Sequence, residues 1–217
     1  MKRLLLLFSH LVALAGAETN EPTDLGNNLS YLRVHSLADS TPYLRPALSA
    51  NRPLVLDLRY TTATEESLVA LRSALAQHPR EAVLFVLISS ATPTALVGAL
   101  NQTPGALISL GATSTRSARI EVKTDPATDR RAYDALDAGT PLETLISGKV
   151  EKERYDEASL VAEFKNGNLE AEPPPEPDPT APKPDEPTPK DPPLVDRVLQ
   201  RAVHLQQAML ALRRTAG

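Results

Sequence analysis

Residues 53–59 read Pro53-Leu54-Val55-Leu56-Asp57-Leu58-Arg59, and residues 82–88 read Ala82-Val83-Leu84-Phe85-Val86-Leu87-Ile88. Each is a short apolar run bounded by turn residues. That is the pattern of a strand covered on both faces, as at the centre of a parallel sheet. Between them, Thr62-x-x-Glu65 forms a capping box, which predicts a helix through Leu68, Leu71 and Leu75 to about Gln77. Strand, helix and strand in that order predict a parallel β-α-β unit.

The same alternation continues on both sides. Leu29 to Leu37 reads as a strand. Ser40 or Thr41, followed by Pro42, looks like a helix start, and Pro46 should keep that helix short. Downstream, Thr92-Pro93 opens a helix to Leu100, and Ala106 to Leu110 is a further strand. After Asp129 the chain reads as short helices, with Gly139, Gly148 and Gly167 as residues that end them. Residues 29–169 therefore form one α/β domain, long enough to bury a real core.

The flanks are different. Lys2 and Arg3 precede an apolar run from Leu4 to Leu14, and Ala15-Gly16-Ala17 is a small-x-small cleavage pattern. Residues 1–17 read as a cleavable signal peptide, because the run is too short for a span of about 20 apolar residues. The expected location is therefore the periplasm or the extracellular space. Residues 18–28 are polar and read as a flexible lead. Residues 170–193 form a linker, and from 172 onward it is half proline and mostly acidic. Such a segment favours extended polyproline geometry and could reach roughly 70 Å. Residues 194–214 carry Val198, Ala202, Leu205, Met209 and Leu212 at steps of four and three, which is one helical stripe. The stripe has two uses: packing back on the domain, or forming a homo-oligomer through a short coiled coil.

Composition excludes several functions. The formal charge is −4, and removing residues 1–17 takes out Lys2 and Arg3 and moves it to −6. No basic patch suggests nucleic acid, and no stretch after the leader is long and apolar enough to span a membrane. There is no cysteine, so disulfides, thiol chemistry and Cys-ligated zinc are ruled out. No zinc motif, phosphate-binding glycine loop or dinucleotide fingerprint points to a cofactor or metal. Asp125, Asp129, Asp134 and Asp137 lack the spacing of a calcium loop and read as a solvated helix face. His35, His78 and His204 lie far apart, without the nucleophile-elbow pattern of a Ser-His-Asp site.

Residues 30–60, SYLRVHSLADSTPYLRPALSANRPLVLDLRY, resemble the core of the tail-specific (carboxyl-terminal processing) serine proteases. The segments ALVGAL at 95–100, Gly111-Ala112-Thr113, RYDEASLVAEFKNGN at 154–168 and DPPLVDRVLQRAVHL at 191–205 follow in the family's order. The resemblance implies a ClpP/crotonase-like fold with a small, mostly parallel sheet.

It also implies where catalytic groups should be, and there this chain departs from the pattern. The family's strand is followed by a Gly-rich turn that helps hold an oxyanion. Here that turn is Tyr60-Thr61-Thr62-Ala63-Thr64, whose residues resist the positive φ that glycine adopts. The family's serine falls at Ala91, or at Ser90 with a slip of one. Its lysine base falls at Arg116, and arginine does not give up its proton at working pH. Lys123 is expected on a later element.

The resemblance thus makes Ser90 and Arg116 catalytic candidates or relics, and Thr61, Thr62, Ser89 and Ala91 ligand-binding candidates. Read without the resemblance, residues 89–92 are a helix-capping turn, and Asp57 and Arg59 make polar contacts at a strand end. The expected function is an exported, non-catalytic, protease-like domain that binds a peptide, protein or cell-envelope partner. The alternatives are a serine peptidase using Ser90 and an assembly protein using 194–214.

Overall fold

The computed structural model describes residues 21–103, 105, 107–147 and 194–215. Residues 1–17, read above as a signal peptide, residues 18–20, Gly148, Gly167, the 154–168 segment and residues 170–193, read as a proline-rich linker, lie outside the described residues.

The chain is α/β. Six strands stand in the order in which they occur along the chain: β1 (Thr23–Asp24), β2 (Ser30–Arg33), β3 (Leu54–Asp57), β4 (Leu84–Leu87), β5 (Leu107–Ala112) and β6 (Ile120–Val122). All neighbours pair parallel except β1 with β2, which is antiparallel. Helices α1 (Leu37–Ser49), α2 (Glu65–Leu75) and α3 (Thr94–Asn101) join β2 through β5. Then follow α4 (Pro126–Asp137), α5 (Leu142–Ile146) and α6 (Arg197–Thr215).

The pleat of the strands sorts their side chains into two cores. Leu32, Leu54, Leu56, Leu84 and Val86 meet Leu44 and Leu48 of α1, Leu68 and Leu71 of α2, and Leu96 and Leu100 of α3. Tyr31, Val55, Phe85 and Leu87 face the other way, toward Leu142 of α5 and Val198, Leu199, Ala202 and Val203 of α6. The helical stripe at the chain's end is therefore used inside its own fold. Leu205 and Met209 pack partly against this second core, and Leu212 stays exposed.

Four sequence expectations need correction. First, residues 21–28 are not simply a flexible lead. They supply β1 and a turn in which Gly26, Asn27 and Asn28 all take positive φ. Glycine and asparagine tolerate that region best.

Second, α1 starts at Leu37 with Ser36 as its cap, and it runs through both Pro42 and Pro46. A proline inside a helix costs roughly 3 kcal/mol. Buried Leu37, Leu44 and Leu48 offset this at about 1.5–3 kcal/mol each.

Third, α2 is capped by Thr64 with Ser67, not by Thr62 with Glu65. Thr62 is held extended instead. Its N–H donates to the His35 carbonyl, and its own carbonyl accepts from Leu37 N–H. Fourth, the strand β6 has no counterpart in the sequence reading. Gly139, at φ 86°, does follow α4 as the helix-ending residue.

Candidate functional site

Parallel strands in register bring their carboxyl ends to one rim, where open α/β sheets bind ligands. Three turns leave it: 58–62 after β3, 88–92 after β4 and 113–116 after β5.

The middle turn is built from hydroxyls. The Thr92 hydroxyl accepts from Ser89 N–H at 2.9 Å and donates to the Leu58 carbonyl at 3.1 Å. The Ser89 hydroxyl accepts from Ala91 N–H at 3.2 Å. Across the rim, the Thr61 hydroxyl donates to the Val34 carbonyl at 2.5 Å, and the Thr62 hydroxyl to the His35 carbonyl at 3.3 Å. Of the ligand-binding candidates, Ser89 and Thr61 are buried, and all of Thr61, Thr62, Ser89 and Ala91 are engaged in holding the turns. Ser90 and Arg116 are exposed, and among the described residues no hydrogen bond joins them. Lys123 follows directly after β6.

Two of the turns adopt an unusual backbone. Tyr60 has φ 60° and Ser114 has φ 76°. The expectation that the glycine-free turn would resist positive φ is thus overturned at Tyr60. The side chain explains how: the Tyr60 ring meets the Tyr133 ring edge-on at 4.8 Å, and the Arg130 guanidinium lies 4.3 Å from its centroid. Burial, the largest influence, pushes the Tyr60 hydroxyl up to about 12. The third turn closes over Gly111, where an added Cβ would lie 2.7 Å from the Thr115 side chain and 2.9 Å from the Ile88 carbonyl.

Behind the rim sits a charged centre that the sequence only partly reveals. Arg59 is wholly buried. Its Nε and Nη2 donate to Asp57 at 3.0 and 2.7 Å. Nη1 donates to Asp129 at 2.7 Å, and Nη2 to Asp196 at 2.6 Å. Tyr31 donates its hydroxyl to Asp57 at 2.9 Å. Asp57 and Arg59 do make the strand-end polar contacts read from the sequence. Asp129, however, is not on a solvated face. It is buried in this cluster, while Asp125 caps α4, Asp134 pairs with Arg130, and Asp137 with Arg33.

One guanidinium serves three carboxylates there. Burial opposes charge on Arg59, but Asp196 and Asp57 hold it firmly protonated. Burial raises Asp129 to about 6, against the pull of Arg59 and with added repulsion from Asp196. Among the described residues no group of His, Asp and Glu is arranged to hold a metal ion. The cation at the centre of these acids is Arg59 itself.

A second cluster escaped the sequence reading because its members lie about 100 residues apart. Arg33 forks onto Asp137 at 2.9 and 3.0 Å and stacks 3.6 Å from the Tyr133 ring centroid. The Tyr133 hydroxyl lies 3.2 Å from His35 Nδ1, and His35 Nε2 lies 3.5 Å from Asp137. The order tyrosine, histidine, aspartate resembles a catalytic relay. The chemistry is unfavourable, because Tyr133 is 2% exposed and burial raises its pKa. Asp137, moreover, is already neutralised by Arg33. His78 is likewise structural, its two nitrogens facing the Leu48 and Ala82 carbonyls at 2.8 and 3.0 Å.

The rim therefore offers exposed hydroxyls, an exposed arginine and a tyrosine edge, and among the described residues no hydrogen bond pairs a nucleophile with a base there. No helix among the described residues is long and apolar enough to cross a membrane. No family model, curated protein or solved structure matches the chain.

Proposed function

We propose that the chain is an exported, non-catalytic domain of tail-specific-protease type, with ClpP/crotonase-like architecture, that binds a peptide or protein segment along the carboxyl-end rim of β3 to β5. One observation carries the reading: the rim's hydroxyls at 61, 89 and 92 are engaged in hydrogen bonds within the turns, and an exposed arginine stands where the resemblance requires a base. A general base must accept a proton, and arginine does not. The parallel sheet, with α1, α2 and α3 against one face, is compatible with the architecture. The Lys2-Arg3 start, the apolar run and the Ala15-Gly16-Ala17 site support export.

A second reading rests on Ser90, which is exposed and has no side-chain hydrogen bond among the described residues. That leaves it accessible as a nucleophile in a serine peptidase. Incubating the full chain with unstructured, apolar-tailed peptides separates the two. The proposal expects binding without turnover. Turnover that disappears in Ser90→Ala would establish the peptidase instead. The assembly reading is weakened by α6, whose stripe packs largely on its own sheet.

A further inference from the structure

Helix α6 is fastened to the rest of the fold near its start. Asp196, just ahead of it, donates its N–H to the Leu145 carbonyl at 2.9 Å, and the Gln200 side chain donates to the Ile146 carbonyl at 2.9 Å. The Asp196 carboxylate also accepts from Leu199 N–H, and it takes two bonds from Arg59, at 3.2 and 2.6 Å. Val198, Leu199, Ala202 and Val203 add an apolar hold.

A guanidinium has five N–H donors, and Arg59 divides them unequally. Asp57 receives one bond from Nε and one from Nη2, and adds bonds from the Arg59 N–H and the Tyr31 hydroxyl. Asp196 receives one bond from each Nη and another from Leu199 N–H. Asp129 receives a single bond, from Nη1 at 2.7 Å. Hydrogen bonds to a carboxylate favour its ionised form, so Asp129 is the acid least well held as an ion.

Around Asp129 stand Asp57 and Arg59 from the end of β3, Tyr60 from the turn after it, Tyr31 from β2, Asp196 ahead of α6, and Tyr133 one turn further along α4. Burial raises all three tyrosines, so they stay neutral. What remains is three carboxylates against one guanidinium, all fully or almost fully buried. A dry site resists that excess of negative charge. A proton on Asp129 reduces the excess and leaves Asp57 and Asp196 their bonds to Arg59. Undocking α6 reduces it in another way: Asp196 departs, and its two guanidinium donors become free for Asp129. The docked helix therefore favours protonated Asp129, and the undocked helix favours the ion. By linkage, docking takes up a proton and weakens as pH rises.

We infer that this cluster is a proton-controlled latch, which holds α6 on the sheet while Asp129 is protonated and lets it open more readily when Asp129 is charged. The open state bares Val55, Phe85 and Leu87, which α6 otherwise covers. The latch does not depend on what the rim binds.

The test is native-state hydrogen exchange of the full chain, corrected for the pH dependence of exchange itself. NMR reads it at the amides of Ala202 and Val203 in α6 and of Phe85 and Val86 in β4. At pH 7.5 the α6 amides should open at least about tenfold more often than those of β4, which report unfolding of the whole molecule. Between pH 7.5 and pH 5 the α6 opening constant should fall about tenfold, as a proton taken up near pH 6 requires. In Asp129→Asn that constant should be the same at both pH values. In His204→Gln the fall should persist, which excludes the half-buried imidazole on α6 as its source. Equal opening of α6 and β4 at pH 7.5, an α6 opening constant that does not fall toward pH 5, a fall retained in Asp129→Asn, or a fall lost in His204→Gln would each overturn the latch. The first two comparisons use the unaltered chain, so they decide even if a variant folds poorly.

Discussion

Arg59, just past the end of β3, donates to the carboxylate of Asp196, which also accepts from Leu199 N–H at the start of α6. A single pair of side chains thus joins the central strand to the helix that closes the second face. Replacing Arg59 with Met would leave three buried carboxylates without their cation. Removing one partner of a buried ion pair typically costs about 3–5 kcal/mol. Urea unfolding should show a loss of that order, and adding Asp129→Asn should recover part of it. An Arg59→Met variant as stable as the parent would refute this role.

Asp129 makes the cluster sensitive to acid in an uncommon direction. Its folded pKa, about 6, lies above the ordinary carboxyl value. The folded state therefore holds this proton more tightly than the unfolded chain does. Its contribution is fully present below about pH 4 and is lost as pH rises through about 6, at a cost on the order of 3 kcal/mol. Asp129→Asn should flatten stability between pH 4 and 6 and be neutral or stabilising at pH 7. Thermal unfolding across that range checks both.

At Tyr60 the backbone sign can be read from a pair of variants. In most rigid positions alanine is more stable than glycine. A left-handed residue reverses the order, because glycine adopts that region without the penalty of roughly 1 kcal/mol or more that other residues carry. Both variants lose the Tyr133 and Arg130 contacts equally. Tyr60→Gly should therefore exceed Tyr60→Ala in stability by about 1 kcal/mol, and the opposite order in chemical denaturation would contradict φ 60°.

Gly111 is demanded by space and not by φ. A methyl group there would press on the Thr115 side chain and the Ile88 carbonyl at once. Gly111→Ala should cost about 1–3 kcal/mol, as overpacking typically does. Thr115→Ala should not rescue it, because the Thr115 Cβ and the carbonyl both remain. Stability of the single and double variants tests this.

The apolar runs at 54–58 and 82–88 made the central strands legible, because burial on both faces leaves no room for polar side chains. The C-terminal helix was legible for a related reason: its stripe repeats at helical steps. What stayed hidden depends on distance or on substitution. β1 and β6 are only two and three residues long. Asp129 looked solvated because its partner is 70 positions away. Arg33, His35, Tyr133 and Asp137 carry no motif, since the fold alone brings them together. The Tyr60 turn was misjudged because its strain is compensated by rings and an arginine distant in sequence.

The sheet's strands stand side by side in the order in which a ribosome would make them. Each strand can pair with the one just completed, and only short-range closure is needed to extend the sheet. The second face has no such convenience. Until residues 197–203 have been synthesised, Val55, Phe85 and Leu87 have no α6 to cover them. A chain cut short before Leu194 would carry a largely finished sheet with one oily side open to water. Such a product should be sticky and a preferred client for chaperones or degradation, so the sheet's second face is secured only once residues 197–203 have folded onto it.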